Sequence, residues 1–170
     1  LKNAVENGTS VVLFPGNKNN PKANNTLLDA FDANQIIGRD TTKQKISGVD
    51  FENAFFKDVF RKRETNAIFP EIAGHFKFEE NTRSTENNLL WFQNNEKALS
   101  QMNYELGKLW IFSFSLEKKN ESFARDILFV PTIYNIVLSS LPKQEIAVTV
   151  GRNTFYDLPK NKNIDLNSTI

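Results

Sequence analysis

The stretch LKNAVENGTSVVLFPG, residues 1–16, decides the fold class of this chain. Apolar residues share one face of a short helix over residues 1–7, and Gly8 suits the left-handed position that ends it. The apolar run at 9–14 then predicts a strand buried on both faces, which is typical of a parallel sheet. A helix, a glycine and a buried strand form the repeating step of α/β folds, so we expect that class.

The ends of the chain suggest how it is divided. The first helix has its apolar face from the first residue, Leu1, so we expect that its start is missing and that the chain is a piece of a longer protein. A small standalone protein with a processed N-terminus and a frayed tail is the alternative. Short strand-like runs after residue 145 predict the opening of a β-rich unit. We therefore predict an N-terminally truncated α/β domain at 1–142 and, at 143–170, a β-rich extension or the start of a following domain.

The remaining elements follow from apolar spacing and turn signals. Helices are expected at 26–31, with an extension to Ile36–Ile37 as an alternative, at 51–60 and at 123–140. Strands are expected at 73–78, 89–92, 97–104 and 109–116, with a turn at Gly107–Lys108. The short connections over 89–116 favour antiparallel hairpins.

The longest predicted helix, 123–140, contains Pro131. Proline removes an intrahelical hydrogen bond, so we expect a kink or a restart there. Its apolar residues lie on one side, at Phe123, Ile127, Val130, Tyr134, Val137, Leu138 and Leu141.

Composition excludes several classes of function. The 170 residues include no cysteine and one histidine, and the net charge is +1. Disulfides, thiolate metal sites, cysteine nucleophiles and zinc sites with two or three histidines are therefore excluded within this chain. No concentrated basic face indicates nucleic-acid binding. The most apolar stretch, 127–141, is too short and too polar for a membrane span.

The first candidate site is the loop Pro15, Gly16, Asn17 and Lys18. It follows a predicted strand and precedes a helix, where open α/β sheets bind their ligands. The ligand we expect there is a small sugar, a nucleotide or an anion. The loop lacks the glycine spacing of a phosphate loop. A plain exit turn is the alternative.

The second candidate site is an interaction surface within residues 51–63. Phe56, Arg61, Lys62 and Arg63 combine an aromatic side chain with a basic cluster, as partner interfaces do. A core-facing helix with an ordinary basic end is the alternative.

Other charged residues are weaker candidates. Asp29, Asp32 and Asp40, near Arg39, have the carboxylates that hold a divalent cation or act as acid and base, with a solvated helix surface as the alternative. His75 lies in a predicted strand without a nucleophile pattern nearby, which favours a structural role. We predict no catalytic residue, no metal site and no cofactor.

Three stretches resemble known families. Residues 6–15, ENGTSVVLFP, resemble a step of class I glutamine-amidotransferase-like domains. Residues 55–60, FFKDVF, with Asn66 and Pro70, are similar to a stretch of large BatA-like membrane proteins of Bacteroidetes, which are related to the aerotolerance operon. Residues 107–134, with GKLWIFSFSL and FVPTIY, resemble the closing segment of the same proteins. The resemblance covers roughly residues 1–141.

The resemblance implies a partial flavodoxin-like or amidotransferase-like three-layer sheet with an antiparallel portion. It also implies a soluble domain, in periplasm or cytoplasm, tethered to a membrane by segments outside this chain. Amidotransferase activity is not implied, because that chemistry needs a cysteine nucleophile with a histidine and an acid.

The function we predict is therefore that of a non-catalytic protein-interaction or scaffolding domain of a bacterial envelope protein. Its expected partners are other envelope or membrane proteins. A small-ligand or anion-sensing domain at residues 15–18 is the alternative, and a hydrolase using Asp29 or Asp40 ranks last.

Overall fold

The computed structural model describes residues 1–16, 21–50, 53–57 and 69–141 and shows a mixed α/β fold. Helices α1 to α5 span Lys2–Glu6, Pro21–Asp29, Ala54–Lys57, Glu121–Ala124 and Phe129–Ser140, with a 3₁₀ turn at Lys118–Asn120. Strands β1 to β8 span Ser10–Leu13, Gln35–Asp40, Gln44–Val49, Glu71–Ile72, His75–Glu79, Asn87–Phe92, Lys97–Tyr104 and Gly107–Phe112.

Six of these strands form one mixed sheet in the order β1-β8-β7-β6-β3-β4, and β2 pairs with β5 separately. The hairpins predicted over 89–116 are confirmed, because β6, β7 and β8 are antiparallel neighbours. The parallel character predicted for the first strand is also confirmed by its pairing with β8. Its predicted burial on both faces is wrong, because β1 lies at an edge of this sheet and Val12 is exposed.

The strand that is buried on both faces is β8. Successive side chains of a strand point to opposite faces, so β8 contributes to two cores. Leu109 and Ile111 pack with residues of α1, α2, β2 and β5. Trp110 and Phe112 pack with the aromatic core that α3, α4 and α5 cover. This strand therefore connects the two apolar clusters of the described fold.

The second helix differs from its prediction at 26–31. It begins at Pro21, and Ile36–Ile37 lie in β2, so the proposed helical extension is wrong. The side-chain amide of Asn25 donates to the backbone oxygen of Ile36 and accepts from its N–H, both at 2.9 Å. A polar residue that marks a helix start in the sequence thus anchors the middle of α2 to β2.

The turn predicted at Gly107–Lys108 lies at Glu105–Leu106, and Gly107 begins β8. A Cβ atom on Gly107 would overlap the backbone oxygens of Val5 and Thr9. The glycine is required by this close approach of α1 and its following loop, rather than by a turn.

The helix predicted at 123–140 forms two helices, and the expected restart is confirmed. Pro131 lies in the first turn of α5. Backbone N–H groups of a first turn have no acceptor within the helix, so a proline there costs no intrahelical hydrogen bond. Of the apolar residues that the sequence places on one side, Phe123 is buried and the others, from Ile127 to Leu141, are exposed to solvent. The buried side of α5 is formed by Thr132 and Ile136, with Leu128 just before the helix.

Part of the predicted organisation lies outside the described residues. This applies to the unit at 143–170, to the boundary at residue 142, and to residues 51–52 and 58–60 of the predicted third helix. Within the described ranges, no helix is both long and apolar enough to cross a membrane.

Candidate functional site

An exposed apolar face lies on α5. Its residues are here called the α5 stripe, and each is between 45% and 70% exposed. They are Val130, Tyr134, Val137, Leu138 and Leu141. Their spacing of three or four residues places them along one face of the helix. Contiguous exposed apolar surface of this kind marks interaction sites in soluble proteins.

The opposite side of α5 is fixed to the fold. Phe129 and Ile133 pack against the aromatic core, and the Lys108 ammonium donates to the backbone oxygen of Ser139 at 2.6 Å. The Asn135 side chain donates to a backbone oxygen of α3. Because these contacts hold the helix, the α5 stripe is presented in a defined orientation and loses little backbone entropy when a partner binds.

A second feature, here called the polar cluster, consists of Asp40, His75, Lys77 and Glu96. These residues come from β2, from β5 and from the turn between β6 and β7. The Lys77 ammonium lies 3.5 Å from an Asp40 carboxylate oxygen and 3.4 Å from one of Glu96. The Nε2 atom of buried His75 forms a hydrogen bond with the Glu96 carboxylate. Lys77 and Glu96 also line a neighbouring pocket of about 210 Å³.

Hydrogen bonds perturb the two carboxylates of this cluster. The Thr42 hydroxyl and backbone N–H donate to Asp40 and lower its pKa to about 2. Burial alone would raise the pKa of Glu96, but hydrogen bonds from His75 and Asn94 outweigh burial and lower it. Both groups therefore carry negative charge at neutral pH.

A third feature is a buried ion pair between Glu86 and Lys97, whose side chains are 1% and 9% exposed. The carboxylate accepts from the Lys97 ammonium at 2.5 Å, from the Ser100 hydroxyl at 2.6 Å and from the Asn34 N–H at 2.6 Å. Burial lowers the pKa of Lys97, opposed by the nearby Glu86 charge. The lysine also lies 3.9 Å from the centre of the Phe78 ring.

The predicted ligand loop is only partly described. Pro15 is buried and Gly16 is half-buried, directly after Phe14, whose ring stacks on Phe112 at 4.1 Å. Asn17 and Lys18 lie outside the described residues. The ligand site at residues 15–18 therefore stays a prediction.

The predicted interaction surface needs a correction at Phe56. Its side chain is fully buried in the aromatic core and packs edge-on against Phe55 at 4.7 Å. The ring stabilises the fold and is not available to a partner. Arg61, Lys62 and Arg63 lie outside the described residues, so their role stays a prediction.

The carboxylates singled out near the second helix take different partners. Asp32 forms an exposed ion pair with Arg83 at 3.5 Å, Asp29 is exposed on α2, and Asp40 belongs to the polar cluster. Lys77 and Glu96 were not predicted as site residues. The alternation of His75 and Lys77 in β5 was the available signal for one shared polar face.

Comparisons with known proteins show the fold alone. No family model matches the chain, and no curated protein does. A cytoplasmic protein of Salmonella typhimurium LT2, STM1381, matches 81% of the chain with a TM-score of 0.63 and 14% identity. The cytoplasmic protein STM3548 of Salmonella typhimurium matches 81% with a TM-score of 0.64 and 16% identity. The chain spans 58% and 57% of these two proteins.

Proposed function

We propose that this chain is a non-catalytic protein-interaction or scaffolding domain that binds a second copy of itself through the α5 stripe. The observation that carries the proposal is the row of five exposed apolar side chains on a helix whose opposite side is packed into the core. Exposing such a row to water is unfavourable, and covering it contributes about 25 cal/mol per Å² of apolar surface buried.

The chemistry of the stripe favours another protein over a lipid surface. Residues 127–141 contain no charged side chain. Helices that bind membrane surfaces carry lysine and arginine on their polar face, which attract anionic lipids. An uncharged stripe has no such attraction and suits an apolar protein surface.

A second copy of α5 meets the requirements of this surface. A partner charge placed against the stripe would be desolvated without a counter-charge, which is costly. The same stripe from another chain brings none, and its spacing of three and four residues allows side chains to interdigitate between helices. Two-fold pairing of one patch with itself is also the commonest symmetry of soluble oligomers.

Two further parts of the proposal rest on other grounds. The finer fold assignment is a partial flavodoxin-like or amidotransferase-like three-layer sheet, supported by the two cores that β8 joins. Membrane attachment through segments outside this chain rests on the sequence resemblance. Other envelope or membrane proteins, the partners implied by that resemblance, are the competing occupants of the stripe.

The mass of the purified chain tests the proposal. Light scattering coupled to size exclusion should give twice the monomer mass at high concentration and should approach the monomer mass on dilution. Val137→Glu should give monomers at every concentration. Ile37→Glu is the matched control, because Ile37 is 61% exposed but lies on β2, and this variant should still dimerise.

Each alternative result contradicts the proposal. A wild-type chain that stays monomeric up to its solubility limit excludes the second copy as occupant and favours a different partner. If Val137→Glu and Ile37→Glu reduced the fraction of dimer equally, general surface charge, and not the α5 stripe, would control association.

A further inference from the structure

Three side chains of metal-ligand type converge at the polar cluster. Asp40 ends β2, His75 begins β5 directly opposite it, and Glu96 precedes β7. One ligand atom of each residue lies within 4.8 Å of those of the other two. Their positions are set by the β2–β5 ladder and by the turn between β6 and β7, so the cluster rests on regular structure rather than on a long loop.

We propose that Asp40, His75 and Glu96 form a binding site for one divalent transition-metal ion, with Zn²⁺ as the best fit. One imidazole nitrogen and two carboxylate oxygens suit zinc, whose bonds to these atoms are about 2.0 to 2.2 Å long. Mg²⁺ and Ca²⁺ prefer oxygen ligands alone. Ligand atoms of a tetrahedral zinc lie roughly 3.4 Å apart. Binding therefore needs a small rearrangement, in which His75 Nε2 and the Glu96 oxygen, now at hydrogen-bond distance, move apart.

His75 supplies the nitrogen ligand of the proposed site. Its side chain is completely buried, and Nε2 is directed into the cluster towards Glu96. The other ring nitrogen, Nδ1, has no hydrogen-bond partner among the described residues. Because the ionised Glu96 carboxylate only accepts hydrogen bonds, Nε2 carries the proton in this arrangement. A metal ion that binds Nε2 replaces this proton, and the neutral ring then carries its hydrogen on Nδ1. The Phe92 ring, 4.4 Å away between centres, holds the imidazole in place.

The cluster already accommodates a positive charge. The Lys77 ammonium lies within ion-pair distance of both carboxylates. Because the Lys77 side chain is 43% exposed, it is able to turn into solvent when an ion takes its place. Lysine is thus a competitor of the metal, and its removal should strengthen metal binding. In a cluster that serves only as an ion-pair network, removal of Lys77 would not strengthen metal binding.

Calorimetric titration of the metal-free chain with zinc chloride tests the proposal. We expect one Zn²⁺ per chain, not displaced by excess Mg²⁺. Asp40→Asn and Glu96→Gln should each weaken binding at least about tenfold, because each removes one charged ligand. Lys77→Met should tighten it. Glu80→Gln is the matched control, since Glu80 lines the adjacent pocket and its loss removes the same charge without removing a ligand.

Cobalt chloride provides a second readout, because visible absorption of bound Co²⁺ reports ligand geometry. The spectrum should appear with the wild-type chain and with Lys77→Met, and it should be lost with Glu96→Gln. Absence of zinc binding in Lys77→Met would overturn the proposal and leave an ion-pair network. Equal zinc affinity in the wild-type chain, Asp40→Asn and Glu96→Gln would also overturn it. Neither result depends on whether the α5 stripe binds a second copy.

Discussion

The buried pair of Glu86 and Lys97 allows a sharp prediction about stability. Glu86→Gln keeps the shape of the side chain and removes its charge. Lys97 would then lie 9% exposed without its carboxylate partner, and the Ser100 hydroxyl would lose a charged acceptor. Breaking a buried pair from one side costs about 3–5 kcal/mol. We expect a loss of unfolding free energy of about 3 kcal/mol, because the nearby Glu80 charge offsets part of the cost.

Urea unfolding followed by the fluorescence of the two tryptophans measures this loss. Glu71→Gln is the control, because the Lys43–Glu71 pair is exposed and such pairs contribute only about 0–1 kcal/mol. Adding Lys97→Met to Glu86→Gln should restore much of the stability, since the uncompensated charge is gone. A loss below about 1 kcal/mol for Glu86→Gln alone would refute the reasoning.

Two further predictions concern a glycine and an acid. Gly107→Ala should destabilise the fold by about 3 kcal/mol in urea unfolding, because the new Cβ atom meets two backbone oxygens. A Cβ atom at Gly38 meets open space, so Gly38→Ala should change the stability little. Equal effects of the two substitutions would contradict the packing argument. Burial raises the pKa of Asp126, so its charge opposes folding above the raised pKa, and that cost vanishes as pH falls below 3.8. Asp126→Asn should therefore gain stability over the wild-type chain at neutral pH but not at pH 3, while exposed Asp29→Asn should show no such difference.

The sequence predicts best those parts of the fold that local patterns determine. The hairpins of β6, β7 and β8 follow from short apolar runs joined by short connections, and they are confirmed. The restart of α5 follows from Pro131. The role of Asn25 is not visible in the local pattern, since its side chain in the middle of α2 bonds to Ile36 in the following strand, β2.

Both candidate sites depend on tertiary structure in the same way. Helix α5 carries apolar residues on two sides, and periodicity alone does not decide whether Ile136 or Val137 faces the core. Asp40, His75 and Glu96 come together only because β2 pairs with β5 beside the β6–β7 turn. The burial of Phe56 likewise follows from packing, and an aromatic residue next to a basic run does not reveal it.

Site-specific crosslinking is the most direct test of the proposed pairing through α5. The chain has no cysteine, so a single introduced thiol reports one position alone. Tyr134→Cys lies in the centre of the α5 stripe, and mild oxidation should link two chains quickly at concentrations at which the chain dimerises. Ile37→Cys, equally exposed but on β2, should link only slowly through random collisions. Equal crosslinking rates at the two positions would contradict the account.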